Sequence, residues 1–168
     1  MILENLVLSV AAYIIPLYVA NGSALIFGGG LPLDFNKKLF NRPVFGKGKT
    51  IRGTFAGLFF GILAALISGF FIPKEFVGDY LLFGVLLVLG AVIGDVAGSF
   101  IKRRFGIAQG QPVLLLDQLD FVLGGFAFTF WMRVPSIAEV VIIMLLTLFV
   151  HKASNYIAYK LKIKKVPW

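Results

Sequence analysis

The sequence predicts an all-α, polytopic membrane protein with five transmembrane helices. Its 168 residues are 59% hydrophobic and have a mean hydropathy of +0.93, whereas soluble domains are about 45–50% apolar. Five apolar runs approach the roughly 20 residues that a spanning helix requires. Lys and Arg are concentrated in alternate polar segments, as the positive-inside rule requires of a membrane protein. The chain has no cysteine, which excludes disulfides and thiolate metal sites.

The apolar runs define the helices in order along the chain. The first run contains Pro16, which membrane helices tolerate when neighbouring groups satisfy the freed carbonyl. Glu4 stands where a signal peptide would have a basic region, so we expect this run to remain as a helix. Without a linker or an internal repeat, the sequence predicts one domain over residues 1–168. The predicted spans cover about residues 6–25, 53–72, 80–98, 113–132 and 137–156.

The distribution of basic residues predicts the orientation. The first and third loops and the tail carry most of the positive charge, whereas the other loops contain only Lys74 and Arg133. We therefore expect a multi-pass protein of the cell membrane with its amino terminus outside and its carboxyl terminus in the cytoplasm. The basic residues on the predicted cytoplasmic side are Lys37, Lys38, Arg42, Lys47, Lys49, Arg52, Lys102, Arg103, Arg104, Lys160, Lys162, Lys164 and Lys165.

Three acids flank the third loop. Asp95 lies inside an apolar run, where an ionised side chain is costly and indicates a functional site. Helical spacing places Ser99, Lys102 and Arg103 on the same face as Asp95, and it pairs Asp117 with Asp120 on the next helix. Carboxylates beside cations suit Mg²⁺ with a phosphate ligand. Alternatively, each acid caps a helix or pairs with a neighbouring Lys or Arg.

The first loop contains a second candidate for phosphate binding, Gly46-Lys47-Gly48-Lys49-Thr50 followed by Arg52-Gly53-Thr54. It does not form a P-loop motif, because Pro43 replaces the first glycine and no βαβ unit precedes it. Glycines nevertheless permit close backbone approach, and the cations can neutralise a polyphosphate. The alternative is a solvated, positively charged loop. Asn21 could bind a substrate or bridge helices, and His151 is interpreted as a packed or interfacial residue.

Taken together, these segments resemble the CDP-diacylglycerol synthases, the phosphatidate cytidylyltransferases. That signature is matched by Gly94-Asp95, Ser99, Ile101-Lys102-Arg103, Gly106-Ile107 and Leu116-Asp117-Gln118-Leu119-Asp120. The chain is shorter than the bacterial enzymes, and it has Gln111-Pro112 and Gln118 where they have His-Gly-Gly and Arg. In its short length and in these substitutions the chain is similar to the archaeal branch of the family, the CDP-archaeol synthases. That resemblance extends to Tyr18-Val19-Ala20-Asn21, Gly28-Gly29-Gly30, Pro32-Leu33-Asp34-Phe35 and Gly46-Lys47-Gly48-Lys49-Thr50-Ile51-Arg52-Gly53.

The resemblance implies Mg²⁺-dependent transfer of a cytidylyl group from CTP to an isoprenoid glycerol-phosphate lipid, 2,3-bis-O-geranylgeranylglycerol 1-phosphate. The membrane and these two substrates are the expected partners, and no nucleic acid is expected. Asp95, Asp117 and Asp120 would hold the metal and, with Lys102, serve catalysis. The remaining expected binding residues are Asn21, Lys47, Gly48, Lys49, Thr50, Arg52, Gly53, Thr54, Ser99 and Arg103.

Two other classes of function stay open at this stage. A small ion- or proton-coupled transporter would use Asp95 as its ion site, but it assigns no role to the Gly/Lys loop. Another lipid-phosphate transferase is also possible. A CDP-alcohol phosphotransferase would need D-x-x-D-G-x-x-A-R, which is missing, and an acyltransferase would give the three acids no metal role.

Overall fold

The computed structural model describes residues 2–160 and 162, and it confirms the predicted all-α fold class. Lys164 and Lys165 of the predicted basic tail lie outside the described residues. The helices are α1 (Ile2–Ile26), α2 (Ile51–Gly69), α3 (Tyr80–Arg104), α4 (Leu116–Thr129) and α5 (Ile137–Lys160). Between α1 and α2, β1 (Lys38–Leu39) and β2 (Arg42–Pro43) form an antiparallel hairpin with Lys38 opposite Pro43.

Three helices within the described range are long and apolar enough to cross a membrane: residues Glu4–Ile26, Ile51–Gly69 and Tyr80–Arg104. The third continues beyond its predicted end at residue 98, because its basic last turn stabilises the carboxyl end of the helix dipole. By contrast, α4 begins only at Leu116, since Leu115 has a φ of 69°. With 14 residues, α4 is about 21 Å long, which is shorter than a hydrocarbon core of about 30 Å.

Glycines allow α3 and α4 to pack backbone against backbone. Gly90, Gly94 and Gly98 follow one another at four-residue spacing on α3 and face Gly124 and Asp120 of α4. A Cβ at Gly94 would overlap the Asp120 carbonyl oxygen and lie 3.0 Å from the Gly124 Cα. Small residues permit such close approach between membrane helices. This interface fixes the relative position of the acids on the two helices.

Other glycines predicted to serve helix packing do so at neighbouring interfaces. Gly57 and Gly61 of α2 lie against Ala20 of α1, and Gly124 and Gly125 lie at contacts of α4. Larger side chains fill the centre of the bundle. The largest fully buried hydrophobic side chains are Tyr13, Leu17, Phe83, Leu87, Phe121 and Ile143.

A buried ionic network joins α1 to α5 near their amino ends. The Arg133 guanidinium lies 2.7 Å from Glu139 Oε1 and donates to Ser9 Oγ at 3.0 Å. The Ser9 hydroxyl in turn donates to Glu139, and Arg133 lies 4.2 Å above the centre of the Phe76 ring. Because the acid is buried with a cation and a hydroxyl, its charge is compensated. The network aligns α5 with α1.

Candidate functional site

A buried carboxylate organises the loop between α1 and α2. Asp34 accepts backbone N–H bonds from Asn36 at 3.0 Å and from Phe45 and Gly46 at 2.9 Å each. Burial tends to raise the pKa of Asp34, but the three N–H donors outweigh it and hold the pKa below its ordinary value of 3.8. Asp34 thus holds the start of the Gly/Lys segment in place.

Two arginines attach the same loop to the end of α3. Arg104 donates to the Leu39 carbonyl at 2.6 Å and to the Pro43 carbonyl at 2.5 Å. Arg42 donates back to the Arg104 carbonyl at 2.5 Å and packs against Gly106, whose φ is 75°. The β1–β2 hairpin is therefore fixed to α3, and the segment that follows β2 is placed beside the acidic part of α3.

These elements line an open cavity of about 400 Å³ whose wall includes charged side chains. The wall is built from the carboxyl-terminal half of α1, the Gly/Lys loop and the start of α2, the carboxyl-terminal half of α3, the α3–α4 loop, the start of α4 and one residue of α5. Thr50 caps α2, and its Oγ1 accepts a hydrogen bond from the Gly53 N–H at 3.1 Å. The predicted site residues in this wall are Asn21, Gly48, Lys49, Thr50, Gly53, Thr54, Asp95, Ser99, Lys102, Asp117 and Asp120.

Lysines balance two of the three acids. Lys49 Nζ lies 2.5 Å from Asp95 Oδ1, and Lys102 pairs with Asp117. The other oxygen of Asp117 accepts the Val113 N–H at 3.0 Å. Pairing of the acids with lysines, one part of the alternative interpretation from sequence, thus occurs in the structure, whereas the amino end of α4 has no side-chain cap. The two pairs lie inside a shared cavity, however, and not at separate helix ends.

Asp120 is held differently from the other two acids. Its Oδ1 accepts the Phe121 N–H at 2.7 Å, and its carboxylate packs where a Cβ of Gly98 would lie. Within residues 2–160 and 162, no three acidic or histidine side chains form a ready-made metal cluster. The carboxylates of α3 and α4 therefore lie in one cavity, but in this conformation they do not form a single set of metal ligands.

Three predicted phosphate-binding residues lie outside the cavity wall. Lys47 and Arg52 are exposed. Arg103 is 7% exposed and packs beside Gly46, and its Nε has no hydrogen-bond partner in the described part of the chain. Sequence spacing alone does not show which residues of the loop and of α3 face the cavity. The binding roles of these three residues therefore stay predictions.

The cavity is also lined by residues that received no binding role from the sequence, among them Tyr18 and His151. Tyr18 comes from α1 and His151 from α5. His151, which the sequence suggests is a packed or interfacial residue, is half-buried and lies in the cavity wall. The sequence gives no signal for this position, because the face that α5 turns towards α1 is set by packing.

Comparison with known proteins identifies relatives over nearly the whole chain. The CarS-like family model, described as CDP-archaeol synthase, matches residues 3–168. A CDP-archaeol synthase of Methanocaldococcus jannaschii is 45% identical, with 93% of this chain and 94% of the relative covered. That of Pyrococcus horikoshii is 38% identical, with 98% of each chain covered.

A solved structure supports the same conclusion. It is described as an intramembrane enzyme for archaeal membrane lipid biosynthesis. It superimposes with a TM-score of 0.79 at 34% identity, covering 86% of this chain and 91% of that chain. The fold, the cavity and these relatives define an integral-membrane enzyme of lipid biosynthesis, a nucleotidyltransferase. The chain belongs to the CDP-archaeol synthase family. This membership decides against the transporter interpretation.

Proposed function

We propose that this enzyme transfers a cytidylyl group from CTP to 2,3-bis-O-geranylgeranylglycerol 1-phosphate. A phosphate oxygen of the lipid attacks the α-phosphorus of CTP. The bond from the α-phosphorus to the oxygen that bridges the α- and β-phosphates breaks. The products are the CDP-lipid and pyrophosphate. The single observation that carries the proposal is one cavity, built from membrane helices and the loops between them, that is lined by three carboxylates and two lysines.

The residues of the cavity fit a hard divalent cation. Mg²⁺ takes oxygen ligands, commonly one or two carboxylates together with water and substrate phosphate. Asp95 of α3 and Asp117 and Asp120 of α4 supply oxygens from two adjoining helices. When bound there, Mg²⁺ would neutralise the charge that develops on the phosphates. We propose these three acids as its ligands.

The cations of the cavity and the amino end of α2 suit the triphosphate. Lys49 and Lys102 already lie beside carboxylates in the wall, so they can contact a phosphate that approaches the same acids. Thr50 and Thr54 lie at the amino end of α2, where the helix dipole favours an anion. We propose that these groups orient CTP and stabilise the leaving pyrophosphate.

The acceptor needs no general base. A phosphate monoester is largely dianionic near neutral pH, since its second pKa is about 6. The task of the protein is therefore to place the nucleophile in line with the leaving group and to compensate charge. This agrees with a cavity rich in lysine and carboxylate.

We also propose that the cavity faces the cytoplasm. The Gly/Lys loop, the end of α3 and the end of α1 lie at the same side of the bundle, and the basic loops mark that side as cytoplasmic. The amino terminus would then lie outside. CTP would enter from the cytosol, and the lipid would enter from the inner leaflet.

The test is pyrophosphate release from CTP by the full-length protein in mixed micelles with the lipid phosphate and Mg²⁺. Asp95→Asn and Asp117→Asn are each expected to lower turnover at least about 100-fold. Glu75→Gln, an exposed acid in the α2–α3 loop, serves as the control and should keep wild-type turnover. Full turnover of Asp95→Asn or Asp117→Asn would refute the metal assignment, and absence of release by the wild type would refute the reaction.

A further inference from the structure

One wall of the cavity is formed by α1 and α5, and apart from Asn21 it has no part in the roles described so far. It contains Tyr18 from α1 and His151 from α5. Among the described elements, α5 packs only against α1 and α4. Of the five helices it has the sparsest packing against the bundle, so we expect a lipid to reach the cavity at its edge.

The register of the two helices places these residues together. Ser9 contacts Glu139 near the start of α1 and α5, and further along the bundle Tyr18 lies beside Thr147. These contacts are separated by about 13.5 Å on α1 and about 12 Å on α5, so the helices run side by side. His151 follows Thr147 by one helical turn and thus lies on the side of α5 that faces α1.

The Tyr18 hydroxyl is buried beside the Thr147 hydroxyl but is not satisfied by a hydrogen bond of normal geometry within the described chain. The Thr147 hydroxyl donates to the Ile143 carbonyl at 2.6 Å. The Tyr18 ring is held edge-to-face against Phe121 with centroids 5.7 Å apart. A buried hydroxyl that is not satisfied costs free energy, so such a group at a cavity indicates a ligand.

An apolar exit adjoins this wall. Leu25 lines the cavity and is also 55% exposed on the outside of α1. The acceptor lipid must bring its phosphate into the cavity while its isoprenoid chains stay in hydrocarbon. The lysines and carboxylates lie on α3, α4 and the loop, so the α1–α5 wall lacks the groups proposed for the metal and the triphosphate and can receive the second substrate.

We propose that Tyr18 and His151 form the subsite for the phosphate-bearing head group of the acceptor lipid. The subsite rests on the reaction proposed above and specifies which residues meet its second substrate. The Tyr18 hydroxyl and an imidazole N–H of His151 donate to the phosphate oxygens, and hydrogen bonds to a charged acceptor are among the stronger ones. The chains leave between α1 and α5.

Tyr18→Phe tests the hydroxyl alone, because the ring keeps its contact with Phe121. The KM for the lipid phosphate, measured as its mole fraction in mixed micelles, should rise about tenfold or more. The Kd for CTP and the inhibition constant of pyrophosphate should not change. As a control, Tyr80→Phe removes a hydrogen bond to the Ala12 carbonyl away from the cavity. It should lower thermal stability and leave the lipid KM unaltered.

A second pair of variants tests the imidazole. His151→Leu should raise the lipid KM about tenfold, and His151→Gln, which keeps an N–H donor, should recover much of that loss. Lys152→Gln, an exposed neighbour, should match the wild type. An active wild type with an unchanged lipid KM in both Tyr18→Phe and His151→Leu would overturn the subsite only. Equal loss of CTP affinity would assign these residues to the nucleotide and would also overturn it.

Discussion

Lys49 of the Gly/Lys loop lies 2.5 Å from the Asp95 carboxylate of α3. Both side chains are about one-fifth exposed, at 22% and 23%, and a parallel pair joins Lys102 to Asp117. Each lysine balances an acid that we propose as a metal ligand. Binding of Mg²⁺ and CTP therefore requires the lysines to exchange a carboxylate for a phosphate, which couples the two binding events.

Replacement of Lys49 should separate these events. Lys49→Met leaves Asp95 without its cation, so we expect the affinity for Mn²⁺ without nucleotide to increase about tenfold. The affinity for CTP with metal present should fall, because a phosphate contact is lost. Mn²⁺ binding followed by electron paramagnetic resonance measures the first effect, and a thermal shift with CTP measures the second.

The matched control for this variant is Lys38→Met. Lys38 is an exposed cation of the β1–β2 hairpin and does not line the cavity. It should bind Mn²⁺ and CTP as the wild type does. Weaker Mn²⁺ binding by Lys49→Met would contradict the exchange of partners.

Gly94→Ala should separate α3 from α4. The added Cβ would meet backbone atoms of Asp120 and Gly124, which cannot rotate away. We expect the unfolding free energy to fall by about 1–3 kcal/mol, with a lower melting temperature and loss of turnover. Gly22→Ala is the matched helical control for stability, since a Cβ there meets nothing within 4 Å, and it should not lower the melting temperature. An unchanged melting temperature for Gly94→Ala would contradict the close packing.

We predict that the thermal stability of the protein depends on pH through Asp34, which lies in the loop between α1 and α2. Because its pKa in the folded protein lies below the ordinary 3.8, its contribution to stability is present above that value and is lost as pH falls through the folded pKa. The melting temperature should therefore decline below about pH 4, and Asp34→Asn should show a flatter profile there with a lower value at neutral pH. Glu75→Gln, at an exposed acid, should retain the wild-type profile. A wild-type profile for Asp34→Asn would contradict this role.

We predict that Arg104 is needed to hold the β1–β2 hairpin against the end of α3. Arg104→Lys keeps the charge but cannot donate to several carbonyls in the geometry of a guanidinium. We expect faster proteolysis of the β1–β2 hairpin and a KM for CTP raised about tenfold, because Lys49 is no longer held near α3. Lys37→Gln, a surface change in the same loop, should have neither effect. Unaltered proteolysis and KM for Arg104→Lys would show that the hairpin is held by other contacts.

The amino-acid sequence was sufficient to locate the helices, and most of the site residues predicted from it line the cavity. Apolar runs located all five helices, although among the described residues only three helices have the length and hydropathy of a membrane span. The predicted ends of the helices were less accurate, because α3 continues to Arg104 and α4 starts at Leu116. Local dihedral angles, such as the positive φ of Leu115, determine those ends and leave little trace in hydropathy.

The sequence by itself determined that this chain is a membrane protein, which residue types could bind metal and phosphate, and which family it resembles. These properties follow from composition, spacing and motif, which are local. Only the tertiary structure decided that Lys49 meets Asp95 and that Tyr18 and His151 share a wall. The physical reason is that the rotation of each helix about its axis depends on which small residues its neighbours present, as Gly94 and Gly124 do between α3 and α4.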